Sequence, residues 1–397
     1  MQFDVAVAGA GPAGLAFALS LAGSGLSVGL IERQRREALA EPAHDGREIA
    51  LTHLSRRLLQ RFGAWDRIPA AEIAPLREAR VMDGPAPRRA LRFDTTGRRA
   101  EALGWLVPNH LIRRALFEAA AERPEITLLA GQAVSGAETG SAGATLRLAE
   151  GTAVAARLAV AADTRFSELR RRMGIPAAMR DFGRAMLVCR MAHDLPHGAV
   201  ATEWFGHGQT IAMLPLNGDL SSAVLTLPER ETARLMALEE ADFAAEVTRR
   251  YGGRLGAMRL AGTRHVYPLV ATWAARFTGP RFALVGDAAV GMHPVTAHGF
   301  NLGLRGAAAL ASGIRAAAAR GGDIGAPALL ARYQAEHRRA AWPLYAGTNA
   351  VVGLFTDDRL PARLARGAVL GLGARLPLVQ DLIVEQLMDR GGRLARA

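Results

Sequence analysis

The sequence predicts an α/β chain. A Rossmann-type dinucleotide-binding domain is interleaved with a second, mostly antiparallel β-sheet domain of α+β character, and the C-terminus is helical. Three observations carry this. Residues 5–32 read VAVAGAGPAGLAFALSLAGSGLSVGLIE, a strand, a glycine-rich turn, a small-residue helix and a second strand that ends on an acid. Residues 175–275 hold short β-type runs separated by Gly, Pro and Asn. Residues 281–287, RFALVGD, return to the character of a buried parallel strand.

The opening segment explains itself residue by residue. Gly9 allows the tight strand-to-helix turn, Gly11 removes a Cβ that would collide with a pyrophosphate, and Gly14 lets the helix lie close on the sheet. Pro12 and Ala13 complete the turn into the helix, whose N-terminus offers N–H groups and a partial positive charge to phosphates. Glu32 stands 18 residues past Gly14, where a carboxylate can take the hydroxyls of an adenosine ribose. The motif by itself leaves NAD and FAD open.

Beyond Glu32, residues 33–47 read as a polar loop and 47–62 as a helix with Leu51, Leu54, Leu58 and Phe62 on one face. Short alternating runs fill 75–107, and 109–123 reads as a helix. Three β runs follow within 126–162, the last ending Val160-Ala161-Ala162-Asp163. In the second domain, four β segments surround a helix at about 231–251. A long Ala/Leu helix covers about 299–320. The expected organisation is therefore discontinuous. The nucleotide domain takes 1–74, 109–174 and 276–326. A β insertion at 75–108 joins the substrate side, 175–275 forms the substrate domain, and 327–397 is a helical region.

Composition narrows the function. The net charge is +12, yet all 49 basic residues are arginine and none is lysine. Schiff-base chemistry, a P-loop lysine and a lysine general acid are thereby excluded. The arginines are scattered and do not alternate with aromatics, so nucleic acid is not expected as a partner. Cys189 is the one cysteine, which excludes an intrachain disulfide and suits a reducing compartment. Mean hydropathy is +0.09, with no long apolar span and no basic n-region at the start. A cytoplasmic protein is expected. No Ser-His-Asp arrangement stands out, and the pair His293 and His298 around a proline does not make a metal site.

The late segment 282–304, FALVGDAAVGMHPVTAHGFNLGL, ends a buried strand at Gly286-Asp287, the ligand edge of open α/β sheets. Gly299 then opens a helix whose N–H groups can face an electron-rich ring. Taken together, GAGPAG, the AAD strand end and GDAA…HP…GFNLGL resemble the FAD-dependent aromatic hydroxylases of the 4-hydroxybenzoate hydroxylase type. HPVTAHGFNLGL and TNAVVGLF resemble the ubiquinone-biosynthesis hydroxylases among them.

The resemblance implies FAD as cofactor and NADPH or NADH as reductant. It also implies O₂ as co-substrate, with oxygen transferred from a flavin C4a-hydroperoxide to a polyprenylated aromatic ring. Gly9, Gly11, Pro12, Ala13, Gly14 and Glu32 would hold the ADP end. Arg47, Asn109, Asp163 and Asp287 would contact FAD further along, and Pro294, Gly299, Phe300, Asn301 and Leu302 would surround the isoalloxazine. The flavin carries the chemistry, and His298, where the family more often has Gln, is the one candidate side chain beside it. Asp163-Thr164 replaces the family's Asp-Gly, adding a Cβ at the reductant contact. Leu214, Pro215, Tyr267 and Pro268 are candidate substrate walls.

Two further expectations concern partners and alternatives. Residues 359–379 alternate Arg359, Arg363, Arg366 and Arg375 with leucines, a candidate surface for peripheral contact at the inner face of a membrane. A ubiquinone-biosynthesis complex is a candidate partner. A hydroxylase of a small soluble phenol, and a non-catalytic FAD-binding scaffold within a biosynthetic complex, remain open beside the main reading.

Overall fold

The computed structural model describes residues 1–84, 90–98, 100–206, 208–293, 298–356, 359, 361–362, 366 and 377–389. The first strand, Gln2–Ala8, lies inside an eight-stranded sheet. It pairs in parallel with Val28–Glu32 on one side and Ala153–Ala161 on the other. Ile126–Ala130 extends the first side and Phe282–Leu284 the second, again in parallel. Val5, Val7, Leu30, Leu158 and Phe282 are buried, as expected of strands covered on both faces. The helices Pro12–Leu21, Asn109–Ala121 and Gly299–Ala318 pack together over this sheet. A strand from late in the chain thus completes a sheet begun at its start.

The second sheet has nine strands. Its main path runs Val290–Gly291, His265–Ala274, Ala177–His193, Leu220–Pro228, Gln209–Pro215, Val200–Gly206, Glu78–Asp83 and Leu91–Asp94. Pairing is antiparallel except between Val200–Gly206 and Glu78–Asp83. Side chains alternate between its faces. One face, with Leu187, Cys189 and Leu225, is buried under Leu235, Phe243 and Val247 of two helices, Glu229–Met236 and Glu240–Arg250. The other face, with Met186, Val188 and Tyr267, turns towards the nucleotide-binding part.

Four local expectations change. Residues 47–62 do not form one helix: Glu48–Leu51 is a strand paired with Gly104–Pro108, and the helix is His53–Arg61. Thr52 divides them, its hydroxyl accepting the Ser55 N–H as an N-cap. The single helix at 231–251 is two helices. The loop at 33–47 contains the short helix Arg36–Ala40, and Val134–Thr139 adds a strand that the sequence reading lacked.

At the C-terminus, the helices Pro327–Thr356 and Pro377–Met388 are present. Most of 359–379 lies outside the described residues. Arg366 is described and is buried, donating to the Phe355 carbonyl at 2.7 Å, so it does not belong to an exposed basic stripe. Among the described residues no helix is long and apolar enough to cross a membrane.

Candidate active site

The three sequence motifs meet at the carboxyl edge of the parallel sheet. Gly9 has φ +109°, and a Cβ there would stand 2.6 Å from the Ala162 carbonyl oxygen. A Cβ on Gly14 would stand 1.9 Å from the Gly9 oxygen, and one on Gly286 (φ +61°) 2.6 Å from the Ala13 Cβ. These glycines are required by the protein's own packing. Gly11 is different, because a Cβ there would meet no protein atom within 4 Å. Its missing side chain leaves room in front of the helix Pro12–Leu21, where a pyrophosphate would be received.

Two carboxylates flank this loop. Glu32 accepts the Ala10 N–H at 2.8 Å and the Gln34 N–H at 3.0 Å, which ties the acid to the glycine turn. Asp163 follows Ala162 against Gly9. Burial pushes its carboxyl up, and the nearby Ser167 hydroxyl and backbone N–H groups offset this only in part. Its Oδ1 is buried with no hydrogen-bond partner among the described residues. An orphaned acceptor beside an open glycine cradle fits a hydroxyl-bearing dinucleotide such as FAD. Thr164 is exposed and uses its hydroxyl to accept the Phe166 N–H at 3.2 Å.

Asp287 sits just beyond the strand Phe282–Leu284, in the short 3-10 turn Gly286–Ala288. Its Oδ2 accepts from Arg165 Nη2 at 2.8 Å and Nε at 3.2 Å, while Arg165 Nη1 holds the Val270 carbonyl at 2.8 Å. Arg165 therefore links the late motif to the second sheet. The sequence reading did not single it out, although it lies two residues past Asp163.

A second polar group gathers around Asp45, which the sequence reading left in a loop. Asp45 accepts from Arg47 Nη2 at 2.6 Å and from Asn109 Nδ2 at 2.7 Å, and its carbonyl accepts the Tyr267 hydroxyl at 2.6 Å. The Arg47 guanidinium lies 5.2 Å from the Tyr267 ring centroid. Burial alone would raise the Asp45 carboxyl. Arg47, together with the bonds from Arg47 and Asn109, instead holds it below its ordinary value. Arg47 and Asn109, both expected near FAD, are thus fixed by one acid, and Tyr267 joins them. The signal available in sequence was the turn-forming pair Asp45-Gly46; in the structure Gly46 has φ +70°.

Gly299 and Phe300 are half-buried at the start of the helix Gly299–Ala318, while Asn301 and Leu302 are buried. Asn301 spends its side chain on the protein: Oδ1 accepts the Thr52 N–H at 3.1 Å and Nδ2 donates to the Ala50 carbonyl at 2.8 Å. Any contact of Asn301 with a flavin would therefore come through its backbone. His298 is buried at the N-cap position of this helix. Pro294 lies outside the described residues. His293 packs edge-on against Phe182 at 4.8 Å, and burial with Arg165 and Arg180 nearby brings its pKa down to about 4. Among the described residues no group of three or more His, Cys, Asp or Glu is placed to hold a metal.

The four candidate substrate walls separate. Leu214 packs with Ala50, Ala74 and Leu106 on the nucleotide side, and Tyr267 packs with Met186 and Leu269 on the same face. Pro215 and Pro268 follow them directly in their strands, so alternation places both on the opposite face, and Pro268 is exposed. The two prolines cannot line a cleft together with their neighbours.

Comparison with known proteins agrees with this geometry. Residues 2–348 match the family described as FAD binding domain. A protein of Neisseria meningitidis called ubiquinone hydroxylase UbiM is 48% identical over 98% of this chain and 85% of its own length. Ubiquinone hydroxylase UbiL of Rhodospirillum rubrum is 37% identical over 97% of this chain and 89% of its own. The crystal structure of pqsL, a probable FAD-dependent monooxygenase from Pseudomonas aeruginosa, superposes with a TM-score of 0.77 at 21% identity. It covers 90% of this chain and 97% of that one, and shows the fold.

Proposed function

Because the chain belongs to the FAD binding domain family, we propose that it hydroxylates the aromatic ring of a ubiquinone-biosynthesis intermediate. NADH or NADPH would be the reductant and O₂ the oxygen source. FAD, when bound, supplies the redox and oxygen-activating chemistry; the chain supplies position and exclusion of water. The Gly9–Gly14 turn receives the pyrophosphate, with Glu32 and Asp163 taking sugar hydroxyls. Asp287 and the Asp45-held pair Arg47 and Asn109 fix the flavin half. The N-terminus of the helix Gly299–Ala318 presents backbone N–H groups to the ring. The substrate ring lies between this edge and the second sheet.

One observation carries the reading. The late Gly286-Asp287 motif packs directly on the opening glycine turn, and Arg165 ties it to the second sheet. A cofactor running along that edge reaches the substrate domain. The relatives' names support the choice of substrate class. Quinone profiling by mass spectrometry of a deletion strain tests it: a precursor lacking one ring oxygen should accumulate. An unchanged quinone profile, with the purified protein hydroxylating a small phenol instead, would move the assignment to the soluble-phenol reading. Flavin that NADH and NADPH both fail to bleach would favour a scaffold.

Membership of a ubiquinone-biosynthesis complex and peripheral contact with the membrane belong to the same reading, since the substrate would carry a polyprenyl tail. Co-sedimentation with acidic liposomes at low salt should capture the protein. Full recovery in the supernatant would remove the membrane contact.

A further inference from the structure

The nine-stranded sheet offers two unlike faces. Beneath its two covering helices, Ala223 and Leu225 have no accessible surface. On the opposite face the same central strands keep accessible surface at Val224 and Leu214, as do Tyr267 and Phe182 at the edge. This second face is covered at both ends. Tyr267 and Arg190 reach Asp45 and Glu48 of the nucleotide part, and Phe205 meets Phe355 of the C-terminal helix at 4.4 Å. Between the two ends, Val224 and Leu214 stay partly accessible.

Strand register sets one row of side chains on that face: His265, Val188, Val224, Ala212, Glu203 and Val81. Apart from His265 at the covered end, Glu203 is its only polar member. It lies diagonally beside Leu214, whose own partner row is shifted by two residues on the same face. The Glu203 side chain keeps some accessible surface, yet no hydrogen bond or ion pair engages it among the described residues. Burial is the one influence on its carboxyl and pushes it up to about 8. A carboxyl among apolar neighbours, with no protein donor, is unfavourable until a donor arrives.

We propose that Glu203 recognises the substrate by accepting a hydrogen bond from a ring hydroxyl, while Val224, Leu214 and Val81 receive the ring and the start of an apolar tail. The inference rests on the hydroxylase reading above and adds a specificity-determining residue to it. A site built to pair with a hydroxyl rejects an analogue that lacks the donor far more strongly than one built on apolar contact alone.

The test uses FAD-loaded enzyme and two probes, 2-farnesylphenol and its methyl ether, titrated against the flavin absorbance at about pH 9, where the carboxyl is ionised and can only accept. Wild type should bind the phenol roughly 10- to 100-fold more tightly than the ether. Glu203→Leu should bind both about equally, and Glu203→Gln, which keeps an accepting oxygen, should retain part of the preference. Flavin absorbance and melting temperature report folding of each variant. An undiminished preference for the phenol in Glu203→Leu overturns the inference and leaves the hydroxylase reading standing. A wild type that neither binds nor hydroxylates the phenol overturns that reading and the inference with it.

Discussion

Asp45 organises more of the candidate site than any residue the sequence reading named. Its carboxylate holds Arg47 and Asn109, and its carbonyl holds Tyr267. Replacing it by Asn removes the charge that makes two of these bonds strong. Charge-assisted hydrogen bonds contribute about 1.5–3 kcal/mol, so FAD should bind the Asp45→Asn apoprotein ~10- to 100-fold more weakly, as read by flavin fluorescence. The pH dependence has a definite sign. The folded-state carboxyl titrates below its ordinary 3.8. Its stabilising contribution is therefore complete above that value and is lost as pH falls through the lower folded one. Melting temperature should stay level through neutral pH and fall in acid, less steeply in Asp45→Asn. Asp45 was hard to find because a loop acid has no periodicity to betray it; its role comes from partners at positions 109 and 267, which only the fold brings near. The glycines and Glu32 were legible because their chemistry is local to one turn.

The glycine turn separates folding from binding, and two substitutions expose the separation. Gly14→Ala places a methyl group 1.9 Å from the Gly9 oxygen, a clash with backbone that no rotamer relieves. Overpacking of this kind costs about 1–3 kcal/mol or more, so the apoprotein should melt earlier or fail to fold. Gly11→Ala meets no protein atom. Its apoprotein should melt like wild type, yet added FAD should raise the melting temperature of wild type only. Equal stabilisation of both by FAD would show that the pyrophosphate does not approach Gly11. The misread segment 47–62 shows the converse limit of local pattern. Ile49 and Leu51 suit a helical face and a strand equally, and the decision lies with Gly104–Pro108, the partner strand far along the chain. Likewise, Pro215 and Pro268 were plausible walls only until strand alternation assigned them to a face.

At the scale of the whole molecule, the two sheets divide the labour. The parallel sheet gathers the motifs at its carboxyl edge, and the nine-stranded sheet presents a partly open face to that edge. The return of Phe282–Leu284 to the first sheet was readable because the strand character of residues 281–287 repeats that of the opening strand. The parallel pairing of Val200–Gly206 with Glu78–Asp83 was not, because it joins segments with no shared local pattern. Arg165 and Asp45 are two of the points where the division is bridged, and Arg190, which donates to Glu48 at 2.9 Å, is another.

The seat of Gly286 on Ala13 also bears on how the protein is made. During synthesis the glycine turn leaves the ribosome well before the corner that rests on it, since residues 14–285 lie between them. At ~5–20 residues per second the delay is on the order of tens of seconds. Through that interval the strand Ala153–Ala161 has no Phe282–Leu284 beside it, and one edge of the nascent sheet stays bare. A cofactor held at both corners could load only after that interval, during which the bare strand edge is open to wrong pairing.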